Sequence, residues 1–325
     1  MRAGRDYCPE LDGLRAVAVL AVVLFHSGPS ASFSGGFVGV DLFFVLSAFL
    51  ITGLLVRERQ VGGRIAIARF YWRRFLRLMP ALGAMLAAYL IVAPFIWPGH
   101  NHFRDSILAA AYVSDYSYAF TRLPDMLRHT WSLAVEEHFY LLWPLLIAPL
   151  LKSGKPMLWL AIAFVTVTVW RASFTDLFQY YYRFDTHASG LMLGALLFFA
   201  LPQLKLRPLH AYAGLALLGA IFFIAEFGEA KRWITLAEFA SALLIGCAAS
   251  GQLGHLGSIL HNPVAVALGR WSYGIYLWHF PIALALRDRH GFLFTSTITL
   301  TASIALAAIS FYTIEAWVRR SRNRA

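Results

Sequence analysis

The chain has 325 residues, of which 59% are hydrophobic and only 14% charged, well below the roughly 25% charged residues of a typical soluble domain. That balance excludes an ordinary soluble globular protein. A formal net charge of +11 arises from 28 Lys and Arg against 17 Asp and Glu, and because the basic residues cluster they mark membrane topology and a phosphate-bearing ligand, with no nucleic acid among the expected partners.

The first apolar segment runs over Leu14–Gly28. Small residues at Ser27–Ala31 imitate a cleavage site, but Met1–Asp12 carries acids and a proline, and Arg15 and His26 interrupt the apolar stretch. The segment therefore reads as a retained span and not as a signal peptide. Further spans follow at Val38–Val56, Leu78–Trp97, Trp131–Leu151, Met157–Trp170, His187–Leu201, His210–Glu226, Trp233–Gly251, Leu268–Leu286 and Phe294–Val318, several of them short of the roughly 20 apolar residues that cross a bilayer. The stretch Phe103–Phe120 holds Asp105, Asp115 and five aromatics, which suits an interfacial or re-entrant segment. The expectation is an all-α, polytopic transmembrane helix bundle of ten spans, with eleven as the alternative, in one domain over residues 1–325 with no appended soluble domain.

Between the second and third spans stand Arg57, Arg59, Arg64, Arg69, Arg73, Arg74 and Arg77, and the positive-inside rule puts such a connection, and with it the amino terminus, in the cytoplasm. The total count of basic residues does not separate ten spans from eleven, but ten also place Arg319, Arg320, Arg322 and Arg324 inside. Internal repeats of the kind found in inverted-repeat transporters are not visible.

Ionisable residues inside spans cost about 2.5–3.5 kcal/mol each, so they face a cavity or a partner. Arg15 and His26 stand eleven positions apart, which puts them on one helix face about 16 Å apart in depth. With the amino terminus inside, His26 lies toward the outer half of the membrane, where Asp41 and, under ten spans, Glu136 and Glu137 reach a similar depth. A neutral imidazole beside carboxylates can act as a base or carry an acyl group; an interhelical hydrogen bond is the blander role. The arginines around Arg73, Arg74 and Arg77 serve equally as topology anchors or as a ligand site. His279 reads as an interhelical packing or hydrogen-bonding residue, or as one lining the site. His100 and His102 lack further ligands, Glu136–Glu137–His138 is not an HExxH motif, and Cys8 and Cys247 have no CxxC spacing, so neither a metal nor a disulfide is expected.

These segments, in order, carry a family resemblance: LDGLRAVAVLAVVLFH from Leu11 to His26, GGFVGVDLFFVLSAFLITGLL from Gly35 to Leu55, FYWRRFLRLMPAL from Phe70 to Leu82, WSLAVEEHFYLLWP from Trp131 to Pro144, and WSYGIYLWHFPI from Trp271 to Ile282. Together they resemble the acyltransferase-3 family of integral membrane acyltransferases, from Glu10 to about Glu315. The resemblance implies transfer of an acyl group, acetyl above all, from cytoplasmic acyl-CoA to a hydroxyl of a carbohydrate, lipid-linked glycan or macrolide, at the cytoplasmic (inner) membrane of a bacterial cell, with no bound cofactor. It implies that His26 is the catalytic residue and that Arg74 and Arg77 of an RxxR pattern help bind the donor. The mechanism expected on that basis adds Arg73 and Arg15 to the phosphate site, has Glu136 or Glu137 orient the imidazole, and has Asp41 support the entrance of the second span. Two positions depart from the pattern, Ala48 for glycine and His138 for glutamine. A transporter or flippase is the competing class, and it would move solute without consuming acyl-CoA.

Overall fold

The computed structural model describes residues 7–28 and 33–322, with side chains to 318. Every regular element among the described residues is helical. Ten helices have twelve or more residues: α1 Pro9–His26, α2 Gly39–Gly62, α3 Ile67–Ile96, α4 Trp131–Lys152, α5 Pro156–Ala172, α6 Ser189–Ala200, α7 Pro208–Ile224, α8 Ala230–Ser250, α9 Pro263–Leu286 and α10 Phe292–Tyr312. By length and composition five helical stretches suit a membrane crossing, Ser34–Gly62, Ile67–Ile96, Arg128–Lys152, Phe227–Ser250 and Phe292–Val318, with shorter apolar helices at Pro156–Ala172, Ser189–Gln203 and Pro208–Ile224.

The arginine-rich connection is mostly helix. α2 continues to Gly62, Gly63 takes the left-handed conformation (φ 70°) that ends it, and α3 starts at Ile67, so only residues 63–66 link the two. The third element thus begins eleven residues before the expected Leu78, because Arg69, Arg73, Arg74 and Arg77 are good helix formers whose charges apolarity alone counts against them. The last element also departs from expectation: α10 stops at Tyr312 and a separate helix, Ile314–Arg322, follows, where the Thr313 hydroxyl bonds back to the Ile309 carbonyl at 2.6 Å and bends the chain. The terminal arginines from Arg319 onward lie outside the described side chains, and residues 29–32, which hold most of the small-residue stretch Ser27–Ala31, lie outside the described residues.

Phe103–Phe120 forms two short helices, His102–Ala110 and Ser114–Thr121, broken at Tyr112, which has φ 52°. Helix directions are fixed by contacts along their lengths. α2 and α4 run parallel, joined by Ser47 to Glu136 at 2.6 Å, Thr52 to Trp143 at 3.0 Å and Arg59 to the Ala148 carbonyl at 3.0 Å. α1 and α9 also run parallel: Gly269 sits so close that a Cβ there would overlap the Asp12 carbonyl oxygen, and the pair meets again at His26 and His279. Gly194 of α6 is pressed likewise against the Val45 carbonyl of α2. Small residues at such crossings let apolar helices approach closely where lipid supplies little drive for association.

Candidate active site

Two connected cavities occupy the bundle. One opens at the arginine-bearing end, spans ≈ 1650 Å³ including the space at its open mouth, and is lined by Arg15, Arg69, Arg73, Arg74, Arg77 and Arg270, among others. It shares Arg15, Arg74, Arg77, Ser272 and Tyr273 with a second cavity of ≈ 900 Å³ that reaches deeper, past Ser47, Glu136 and Tyr140, to Ser132 and Tyr276.

The arginines are not equivalent. Arg15 pairs with Asp12 at 3.0 Å, and Asp12 is held from its other side by the Tyr7 hydroxyl at 2.6 Å. Arg74 donates to Glu137 at 2.9 Å and lies over the Tyr140 ring. Arg73 and Arg77 are exposed and make no hydrogen bond or ion pair among the described residues, so their guanidinium forks are available to phosphate oxygens. Sequence spacing anticipated this group as a cluster; the division into paired and available members comes from the fold.

At the opposite end, partly exposed His26 closes the last turn of α1. Its Nδ1 lies 3.0 Å from Nε2 of His279, and Nδ1 of His279 lies 2.5 Å from the Tyr276 carbonyl oxygen. A carbonyl only accepts, so Nδ1 of His279 carries the hydrogen, its Nε2 is a lone pair, and Nδ1 of His26 donates to it. Nε2 of His26 is left with a free lone pair, the state of a general base. His279, one of several roles open to it in sequence, therefore fixes the tautomer of His26.

The expected carboxylate partners stand elsewhere. Asp41, 0% exposed, binds Nε2 of His187 at 2.9 Å; on α2 it shares a face with Val45, four residues on, and that face is turned to α6. Glu136 accepts from Ser47 and lines the deeper cavity, and Glu137 is taken by Arg74. None of the three is hydrogen bonded to His26, so the imidazole's immediate partner is a second imidazole and not a carboxylate. His138 is 3.1 Å from Asp115, which ties α4 to the Ser114–Thr121 helix.

Several polar residues escaped the sequence reading. Tyr276 bonds Ser132 Oγ at 2.5 Å and the His129 carbonyl at 2.7 Å; His26 is absent from the lining of the deeper cavity, and Tyr276 and Ser132 stand at its end. His129, 1% exposed, stacks on Phe280 with ring centroids 4.8 Å apart. Behind α2, buried Arg171 donates to Ser189 and Thr235, each at 2.6 Å, and lies 3.7 Å from Glu238, which also accepts from Ser189. His187 faces acceptors on both ring nitrogens, Asp41 and the Tyr181 carbonyl. Among the described residues no group of three or more His, Cys, Asp or Glu is arranged to hold a metal ion.

Comparison with known proteins agrees with the expected family. The family described as "Acyltransferase domain" matches residues 9–315. The chain is 33% identical over 98% of its length to "Peptidoglycan O-acetyltransferase OatA" of Listeria monocytogenes, and 32% identical over 97% to "O-acetyltransferase OatA" of Staphylococcus aureus. It spans 57% of the length of each of these relatives. No solved structure matches it. With the match covering nearly the whole helical bundle and including His26, Arg74 and Arg77, the chain is a multi-pass membrane protein that belongs to the acyltransferase-3 family.

Proposed function

We propose that the protein is a membrane O-acetyltransferase that takes acetyl from cytoplasmic acetyl-CoA and places it on a hydroxyl of a cell-wall glycan of the peptidoglycan type, with His26 as the base. The observation that carries this reading is the His26–His279–Tyr276 relay, which leaves one imidazole lone pair free at the far end of the bundle from an arginine-lined cavity. The acceptor class rests on the relatives' names and the donor on the available guanidinium groups.

Ten crossings fit the alternating directions of α1 to α10. An eleventh over Phe103–Phe120 would reverse α4 against α2, whereas these two run parallel. The arginine end then faces the cytoplasm and His26 the outer side. Donor phosphates bind Arg73 and Arg77, the pantetheine arm lies in the deeper cavity past Glu136, and the thioester comes to the Tyr276 and Ser132 end. The acceptor O–H gives its proton to Nε2 of His26 as its oxygen bonds to the acyl carbon. The C–S bond then breaks and the departing thiolate takes that proton, restoring the imidazole.

The test is acyl transfer from radiolabelled acetyl-CoA by purified wild type and His26→Ala, with peptidoglycan fragments as acceptor and CoA release followed in parallel. Transfer by wild type and its loss in a folded His26→Ala variant is expected. Full transfer by that variant removes His26 from the chemistry, and no transfer by folded wild type removes the donor assignment.

A further inference from the structure

Besides Arg73 and Arg77, the arginine-lined cavity holds a third available guanidinium. Arg69 lines it, is exposed, and makes no hydrogen bond or ion pair among the described residues. Arg69, Arg73 and Arg77 follow one another at four-residue spacing on α3, which stacks them along one side of the helix at about 6 Å per step. Their places in the cavities are graded. Arg77 lines both cavities and stands at their junction, whereas Arg73 and Arg69 line the outer one alone. The row therefore leads from the junction toward the arginine-bearing mouth, with Arg69 last.

Other charged groups at this mouth are engaged. Arg270 donates to the Tyr7 hydroxyl at 3.1 Å and lies 3.8 Å from Asp12. Asp12 is held by Arg15 and Tyr7, and Glu58 accepts from the backbone N–H of Ala66 at 3.2 Å. Arg69 differs from all of these, and its place in the chain is also unusual. It occupies the first turn of α3, where the positive end of the helix opposes a cation and favours an anion. An unpaired arginine there contributes nothing to the helix that carries it, whereas an anion brought to it meets both the guanidinium and the helix end.

We infer that Arg69 binds the ribose 3′-phosphate of acetyl-CoA and makes the protein selective for the complete CoA carrier over acetyl thioesters that lack this group. The inference deepens the function proposed above and rests on it. In acetyl-CoA the thioester, the pantetheine arm, the pyrophosphate and the ribose phosphate follow in that order. With the thioester at the Tyr276 and Ser132 end and the pyrophosphate at Arg77 and Arg73, the remaining phosphate lies one sugar further toward the mouth. The next guanidinium in that direction is Arg69, one helical turn beyond Arg73, and a turn and a ribose ring span a similar length. Two parallel N–H groups of a guanidinium match two phosphate oxygens. A charge-assisted contact of this kind at an exposed residue changes affinity by about tenfold.

The test compares KM for acetyl-CoA and for acetyl-3′-dephospho-CoA in wild type, Arg69→Ala and Arg64→Ala. Arg64 is an exposed cation of the same basic connection that lines neither cavity, so it controls for bulk positive charge. Wild type should show a KM about tenfold higher for the dephospho compound. Arg69→Ala should raise KM for acetyl-CoA to that level, leave KM for the dephospho compound unchanged and keep kcat on both, while Arg64→Ala keeps the wild-type ratio. Arg73→Ala, by contrast, should raise both KM values, because both compounds carry the pyrophosphate. Equal KM values in wild type overturn the inference, as does an Arg69→Ala variant that still discriminates or an Arg64→Ala variant that loses discrimination to the same extent. Wild type that transfers acetyl from both compounds with equal KM fails only the role of Arg69, whereas folded wild type that transfers from neither fails the functional reading.

Discussion

Replacing His279 with phenylalanine isolates the tautomer lock from the bulk of the side chain. His279 is fully buried, between the Tyr276 and Phe280 rings at 5.2 and 6.2 Å, so a ring of similar size keeps the packing. What disappears is the lone pair that accepts from Nδ1 of His26 across 3.0 Å. The His26 N–H is then left without an acceptor, at a cost of about 1–3 kcal/mol, and the imidazole is free to place its hydrogen on Nε2, which removes the base. Applied to the barrier, that cost lowers kcat by about 5- to 150-fold. KM for acetyl-CoA should hold, because the guanidinium groups proposed to meet the phosphates lie at the other end of α1. Steady-state transfer by the purified variant in detergent, beside a fluorescence melt to verify folding, gives both numbers. His279→Gln, whose side-chain oxygen can accept, should restore part of kcat. A His279→Phe enzyme within twofold of wild type in kcat would refute the assignment of the His26 tautomer.

Arg77→Ala and Arg74→Ala should part company. Arg77→Ala, at an exposed residue without an ion pair among the described residues, should raise the acetyl-CoA KM and leave the melting temperature alone, whereas Arg74→Ala should raise KM and lower the melting temperature, because it strands Glu137; equal melts and unchanged KM values would count against the donor site. Arg171→Met should cost about 3–5 kcal/mol by leaving Glu238 buried without its cation, seen as loss of monodisperse protein on size exclusion, and Arg171→Met with Glu238→Leu should recover much of it. Asp185, in the short helix Phe184–His187 outside the long helices, is pushed up by burial but pulled further down by hydrogen bonds from Arg183, Trp170 and Tyr116, leaving its carboxyl below the ordinary range. A depressed folded-state value means a stabilising contribution present above the unfolded carboxylate value, near 3.9, and lost as pH falls through the folded value. Melts of Asp185→Asn should therefore differ from wild type at neutral pH and converge with it in strong acid; a constant gap would refute the linkage.

Apolar periodicity located all ten long helices, because a bilayer-facing helix must be apolar along its length. Its ends were harder to find where charge and helix coincide: Arg69, Arg73, Arg74 and Arg77 read as a loop by hydropathy yet sit in α3. Spacing and motif singled out His26, Arg74 and Arg77 as candidates. Their partners were not, since a span's polar face can be deduced but the face it meets cannot. Asp41 and His26 share a depth, and depth alone suggested an interaction; the rotation of α2 sends Asp41 to His187 instead. His129 occupies a short 3-10 turn, Arg128–Thr130, where no periodicity marks a side chain as inward.

The buried pairing of Asp41 with His187 also bears on how the protein is made. The two residues are 146 positions apart, so as α2 leaves the ribosome its aspartate enters the membrane long before its partner exists. An aspartate at the centre of a helix opposes insertion by about 2.5–3.5 kcal/mol; Asp41 sits instead in the first turn of α2, within a stretch whose mean hydropathy is still 2.2. Arg171 likewise precedes its carboxylate, Glu238. Biosynthesis therefore passes through inserted but unsealed helices, and the bundle closes only when α6 and α8 arrive, which makes the later half of the chain the step at which quality control can distinguish a finished molecule from an abandoned one.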